Sequence, residues 1–175
     1  MDDSHDTPAP SSPLRPGLLP RTLALCYDGC LVVLLLIIAA VLVAIPVVWI
    51  SGTLPHPAAP WHRAYLLLMV TGYYAGFWLR DGQTLGLKAL GIRLTRANGR
   101  PVTGPDTLIR LAAIGVLYGL PLVLAKHWEG CLGCWAALPF WLPLVLGHAW
   151  LWVDRDRATW HDRLSGTRLE CLPAD

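Results

Sequence analysis

The chain has 175 residues, of which 54% are hydrophobic and only 15% charged, with a mean hydropathy of +0.46 and a net charge of +2. A soluble domain carries roughly a quarter charged residues, so this composition weighs against a water-soluble domain; a net charge of +2 is too small to imply nucleic-acid binding. The five cysteines fall in an apolar run, a C-x-x-C and the tail, which is not the pattern of a secreted disulfide framework.

Residues 1–20 hold Pro8, Pro10, Pro13, Pro16 and Pro20 and begin with acidic residues. Such a segment has little to bury and is expected to be disordered. No cleavable signal is expected; the first apolar run is too long for a signal-peptide core and reads as an uncleaved anchor. That run has no charged residue from Gly29 to Pro55, enough to cross a hydrocarbon layer of about 30 Å, which needs about 20 helical residues. Extended back to Arg21, it predicts a helix over about 21–50, with Pro46 a candidate kink near its outer end.

Three further spans are predicted, over about 62–80, 107–126 and 135–153. The second has 16 uncharged residues between Arg63 and Arg80, and the third 15 between Arg110 and Lys126; flanking basic side chains complete such spans by snorkelling. The expected fold is therefore an all-α membrane domain over 21–172 with four transmembrane helices. Twelve Lys and Arg residues fall before helix one, in the 80–110 region and in the tail, against Arg63 and Lys126 in the other two loops. This bias puts both termini in the cytoplasm of a multi-pass inner-membrane protein. Trp49, Trp61, Trp128 and Trp135 near the outer ends and Trp78, Trp150 and Trp152 near the inner ends form the expected aromatic belts.

The 81–106 loop is patterned. Gln83–Leu90 predicts a short amphipathic helix on the membrane surface. Ile92–Thr103 alternates around Asn98-Gly99, a strong hairpin signal. Thr167–Cys171 in the 154–175 tail also alternates and is expected to join that hairpin in a small cytoplasmic sheet.

Several residues are candidates for chemistry. Asp28 follows Arg21 by seven positions, on the same face and about 10 Å along the axis. A carboxylate in the apolar region costs roughly 2.5 kcal/mol or more unless paired, hydrated or protonated, so Asp28 is expected to face the bundle, with Arg110 as partner. Arg21, Asp28, Arg110 and His148 make up a candidate cation or proton site, the alternative being an ion pair that fixes helix register. His161 and Asp162 are candidates for a structural clamp between tail and loop, or for a gate. Cys131-Leu-Gly-Cys134 reads as a candidate disulfide, a redox pair, free thiols, or half a metal site with His127; no second C-x-x-C completes a four-ligand zinc site. Gly72-x-x-x-Gly76 and Gly115-x-x-x-Gly119 suit close packing of helices two and three. No phosphate-binding loop, H-E-x-x-H or nucleophile elbow occurs; no catalytic residue, metal or cofactor is expected, and the chain does not read as an enzyme.

Three segments together resemble the RDD family of membrane proteins: Arg21–Asp28, Gly82–Leu94 followed by Asn98-Gly99, and Asp154–Thr167. The resemblance covers roughly residues 15–172. The family is named for an arginine and two aspartates, which match Arg21, Asp28 and Asp162. It implies a membrane protein with a candidate transport role, sodium/proton exchange among the activities suggested for members. The expected function is a small transporter or cation/proton exchanger using Asp28. The alternative is a non-transporting scaffold or assembly partner. Expected partners are the lipid bilayer, further copies of this chain or another membrane protein, and a small cation or proton; no nucleic acid is expected.

Overall fold

The computed structural model describes residues 14–56, 59–121, 123–124 and 158–172, with 142, 145–147, 149–150 and 153–154. Helix α1 covers Leu18–Ser51. Pro20 lies in its first turn, where a proline removes no helical hydrogen bond. The helix runs through Pro46 and closes at Gly52, which adopts φ 71° and donates its N–H to the Val48 carbonyl. Helix α2, Pro60–Arg80, starts on a proline and packs against α1, where Tyr65 Oη donates to the Ala39 carbonyl at 3.4 Å. Among the described residues, α1 is the helix whose length and composition suffice to cross a membrane.

The start of α1 differs from expectation. Residues 14–20, assigned to a disordered tail, are tied down: Cys171 N–H donates to the Leu14 carbonyl at 2.8 Å, and Arg21 Nε to that of Pro16 at 3.2 Å.

Helix α3 (Leu85–Ala89) lies in the predicted surface-helix segment and packs on α1. Strand β1 (Ile92–Arg96) follows, then α4 (Gly104–Ile114), which continues into a π-helical turn over Gly115–Gly119. Residues 120–121 and 123–124 are also helical, as are 142, 145–147, 149–150 and 153 in the predicted fourth span. Helix α5 (Trp160–Ser165) and strand β2 (Thr167–Cys171) complete the described chain.

The sheet is two-stranded and antiparallel, with Ile92 opposite Cys171 and Arg96 opposite Thr167. The pairing of the tail with β1 is as expected; the local hairpin is not. The turn forms, with Gly99 at φ 78° and Arg96 N–H bonded to the Arg100 carbonyl. Residues beyond it do not pair as a strand, because Pro101 has no N–H and Thr103 caps α4. Thr103 and Asp106 form a reciprocal capping box.

Buried apolar side chains gather at one end of the helices. Ala24, Trp78, Leu87, Ile92, Leu94, Val102 and Leu169 form one cluster, flanked by Tyr74, Leu111 and Ile114. It draws on the first turns of α1, the last of α2, α3, both strands, the residue Val102 before α4 and the last turn of α4. Elsewhere α1 exposes Val33, Leu34, Ile37, Ile38, Val41, Leu42 and Ile45, as a helix solvated by lipid would. The two predicted G-x-x-x-G contacts are not formed among the described residues. A Cβ at Gly72, Gly76, Gly115 or Gly119 meets nothing within 4 Å.

Candidate functional site

The buried face of α1's first turns is Arg21, Ala24 and Asp28, one stripe at helical spacing. Each polar member of it meets a different part of the chain. Arg21 Nη1 donates to Asp162 Oδ2 at 3.1 Å. Arg110, one face of α4 away, donates from Nη1 to Asp162 Oδ1 at 2.5 Å and to Thr167 Oγ1 at 2.6 Å. The Asp162 side chain is fully buried, with the two arginine side chains at 7% and 5% exposure. Such a triad persists only where hydrogen bonds satisfy the remaining lone pairs. Thr159 N–H supplies one more, to Oδ2 at 3.0 Å, through a capping box with Asp162 at the third position of α5.

Burial pushes the Asp162 carboxyl up, but the charges of Arg110, His161 and Arg21 and the Thr159 N–H outweigh it and hold the group below its ordinary value. His161 lies beside the triad, its Nε2 3.8 Å from Asp162 Oδ1 and 3.0 Å from Thr159 Oγ1. Its Nδ1 is 3.4 Å from Tyr118 Oη, in the π-helical turn. The Arg110 guanidinium also stacks over the Trp78 ring at 5.2 Å.

Asp28 has a separate set of partners. Its Oδ1 accepts from Tyr73 Oη at 2.9 Å and Gly86 N–H at 2.8 Å, and its Oδ2 from Thr84 Oγ1 at 2.5 Å. The carboxylate thus occupies the N-terminus of α3, where free backbone N–H groups favour an anion. Position 86 has no room for a side chain: a Cβ would lie 2.9 Å from Asp28 Cγ and closer still to the Ala24 carbonyl oxygen. Glycine there is what lets α3 sit on α1.

The expected pairing of Asp28 with Arg110 is therefore replaced. Arg21 and Arg110 converge on Asp162, while Asp28 takes neutral donors from α2 and the 81–106 loop. Asp162 clamps the tail to α1 and α4 and not to the loop. Backbone pairing of β1 and β2 makes the link between tail and loop. His148, Cys131 and Cys134 lie outside the described residues. Thr84, Gly86, Tyr73 and Thr159 are site residues absent from the sequence reading. Thr159-x-x-Asp162 carried a readable signal, a capping-box spacing; Tyr73 carried none.

Compared with protein families, residues 15–166 match the RDD family. The chain belongs to the RDD family. No curated protein and no solved structure matches it. RDD proteins are membrane proteins, in accord with α1. Arg21, Asp28 and Asp162, the positions read in the sequence as the family's arginine and aspartates, form no single three-residue centre here. Arg21 and Asp28 are the two polar positions of one buried helix stripe, and each draws a different element onto α1.

Proposed function

We propose that this RDD protein is a four-span membrane protein with both termini in the cytoplasm, acting as a non-transporting, non-enzymatic scaffold that assembles with further copies of itself or another membrane protein. The twelve-to-two division of basic residues supports the orientation. The length of α1 supports the placement of the polar cluster. Its 34 residues extend about 51 Å at about 1.5 Å per residue, far beyond a hydrocarbon layer of about 30 Å. The uncharged stretch from Gly29 onward fills that layer alone. Arg21 and Asp28 then lie at its inner boundary, beneath a cap made of α3, the sheet and α5.

One observation carries the scaffold reading: both carboxylates of the cluster are held on both oxygens by protein donors, Asp28 by three and Asp162 by three. A group so held serves to fix the cap. A second reading, cation or proton exchange at Asp28, is favoured by the neutrality of all three of its donors, none of which balances its charge. Sodium- and proton-driven flux into proteoliposomes separates the two. The scaffold reading expects flux equal to that of protein-free liposomes, and native-membrane particles larger than a monomer. Flux that Asp28→Asn abolishes would establish the exchanger instead.

A further inference from the structure

Where α2 ends at Arg80, the chain turns through Asp81 and Gly82. This turn, β1 and the Asn98-Gly99 turn line a partly open cavity of about 160 Å³. Trp78 forms part of its wall, and Arg80, Asp81, Arg93 and Thr95 line it. Arg93 Nε donates to the Asp81 carbonyl at 3.0 Å. That bond orients the guanidinium, and its terminal nitrogens have no partner among the described residues. Arg80 makes no hydrogen bond or ion pair among them either, and Thr95 Oγ1 is buried without a partner. Most other arginines of the cap are engaged, Arg21 and Arg110 with Asp162, Arg96 with Asp106, and Arg168 with Glu170, while Arg100 is exposed in the turn and does not line the cavity. Two guanidiniums with free donors therefore share the wall of one cavity at the end of a helix.

Guanidinium forks match phosphate oxygens in geometry and charge. Two arginines and one aspartate leave the wall with one net positive charge, which complements the single negative charge of a phosphodiester better than a doubly charged phosphate. On the orientation argued above, Arg80 lies at the depth of the inner-leaflet headgroups, where basic pockets meet anionic lipids. We propose that this cavity binds the phosphodiester of an anionic lipid headgroup, gripped by Arg80 and Arg93, with the acyl chains remaining in the bilayer beside α2. The lipid source of that phosphodiester rests on the reading that α2 crosses the membrane.

The full-length protein in a neutral detergent, titrated with phosphatidylglycerol, phosphatidylcholine or inorganic phosphate and followed by thermal unfolding, tests this. Phosphatidylglycerol is expected to raise Tm saturably, and the other two to leave it unchanged. Arg80→Gln and Arg93→Gln are each expected to weaken the apparent affinity roughly tenfold, the loss of one charge-assisted contact. Lys88→Gln removes the same charge from an exposed position on α3, outside the cavity, and is expected to bind like the unaltered chain. The site is overturned if phosphatidylglycerol gives no shift, if the arginine variants bind as tightly, or if Lys88→Gln weakens binding as much. An equal response to inorganic phosphate overturns the lipid assignment. Orientation does not enter a detergent titration, so a reversed topology, read by thiol labelling, is distinguishable from a failed site.

Discussion

Asp162 and Asp28 are both buried carboxylates, yet they differ in what their loss leaves behind. Asp162→Asn strands two buried guanidiniums without a counter-charge, a change that costs about 3–5 kcal/mol. Asp28→Asn keeps an acceptor for the Gly86 N–H and the Tyr73 hydroxyl, and the Thr84 hydroxyl can rotate to accept from the new amide, so its expected cost is about 1 kcal/mol. Equilibrium unfolding in detergent checks the order; an equal loss from both would mean that charge pairing is not what distinguishes them. Gly86→Ala is expected to cost about 1–3 kcal/mol by pushing α3 off α1, although the new side chain is only a methyl group. At this scale the sequence was legible as a set of residues and not as a set of pairs. Arg110 was expected to reach Asp28 because both lie near the inner ends of their helices. The partner it takes is 52 positions away in sequence, and only the fold of the tail decides between them.

The elements of the cap were more legible. The surface-helix segment and the tail strand follow from amphipathic and alternating patterns, which are local. The hairpin was misread because an Asn-Gly turn was given more weight than Pro101 and the Thr103-x-x-Asp106 capping box directly after it. That box has an electrostatic consequence. The hydrogen bond from Arg96 Nε, at 2.6 Å, holds the Asp106 carboxyl at about 2, below its ordinary 3.8. A depressed carboxyl contributes stability that is present above its unfolded value and lost as pH falls through its folded one. The link between β1 and α4 is thus expected to hold at pH 5 and to loosen as pH falls from about 4 towards 2. Amide exchange in the first turn of α4, measured against pH, should follow this course, and Asp106→Asn should remove it. Core contacts across the strands set a further expectation: Leu94→Ala, opposite Leu169, costs about 2–5 kcal/mol.

For the whole molecule, composition and charge distribution indicate a membrane protein, and the long apolar α1 and the family match agree with that. What they did not indicate is that the buried core lies at one end. In a soluble domain the apolar face of each helix turns inward along its length; here the middle of α1 is largely exposed and burial is concentrated in the Arg21, Ala24 and Asp28 stripe of its first turns. Lipid supplies the environment for the former, and the cap covers the latter. On this arrangement Cys131, after reduction, should react with an impermeant thiol reagent from the outer side; labelling only from the cytoplasmic side would reverse the orientation. The central claim is that Asp162 holds the tail, and through β2 the sheet, onto α1 and α4. Hydrogen–deuterium exchange of the Thr167–Cys171 and Ile92–Arg96 amides, compared between the unaltered chain and Asp162→Asn, tests it most directly. Faster exchange in both strands, with the middle of α1 unaffected, is the predicted result. Strand amides that remain equally protected in the variant would contradict the clamp.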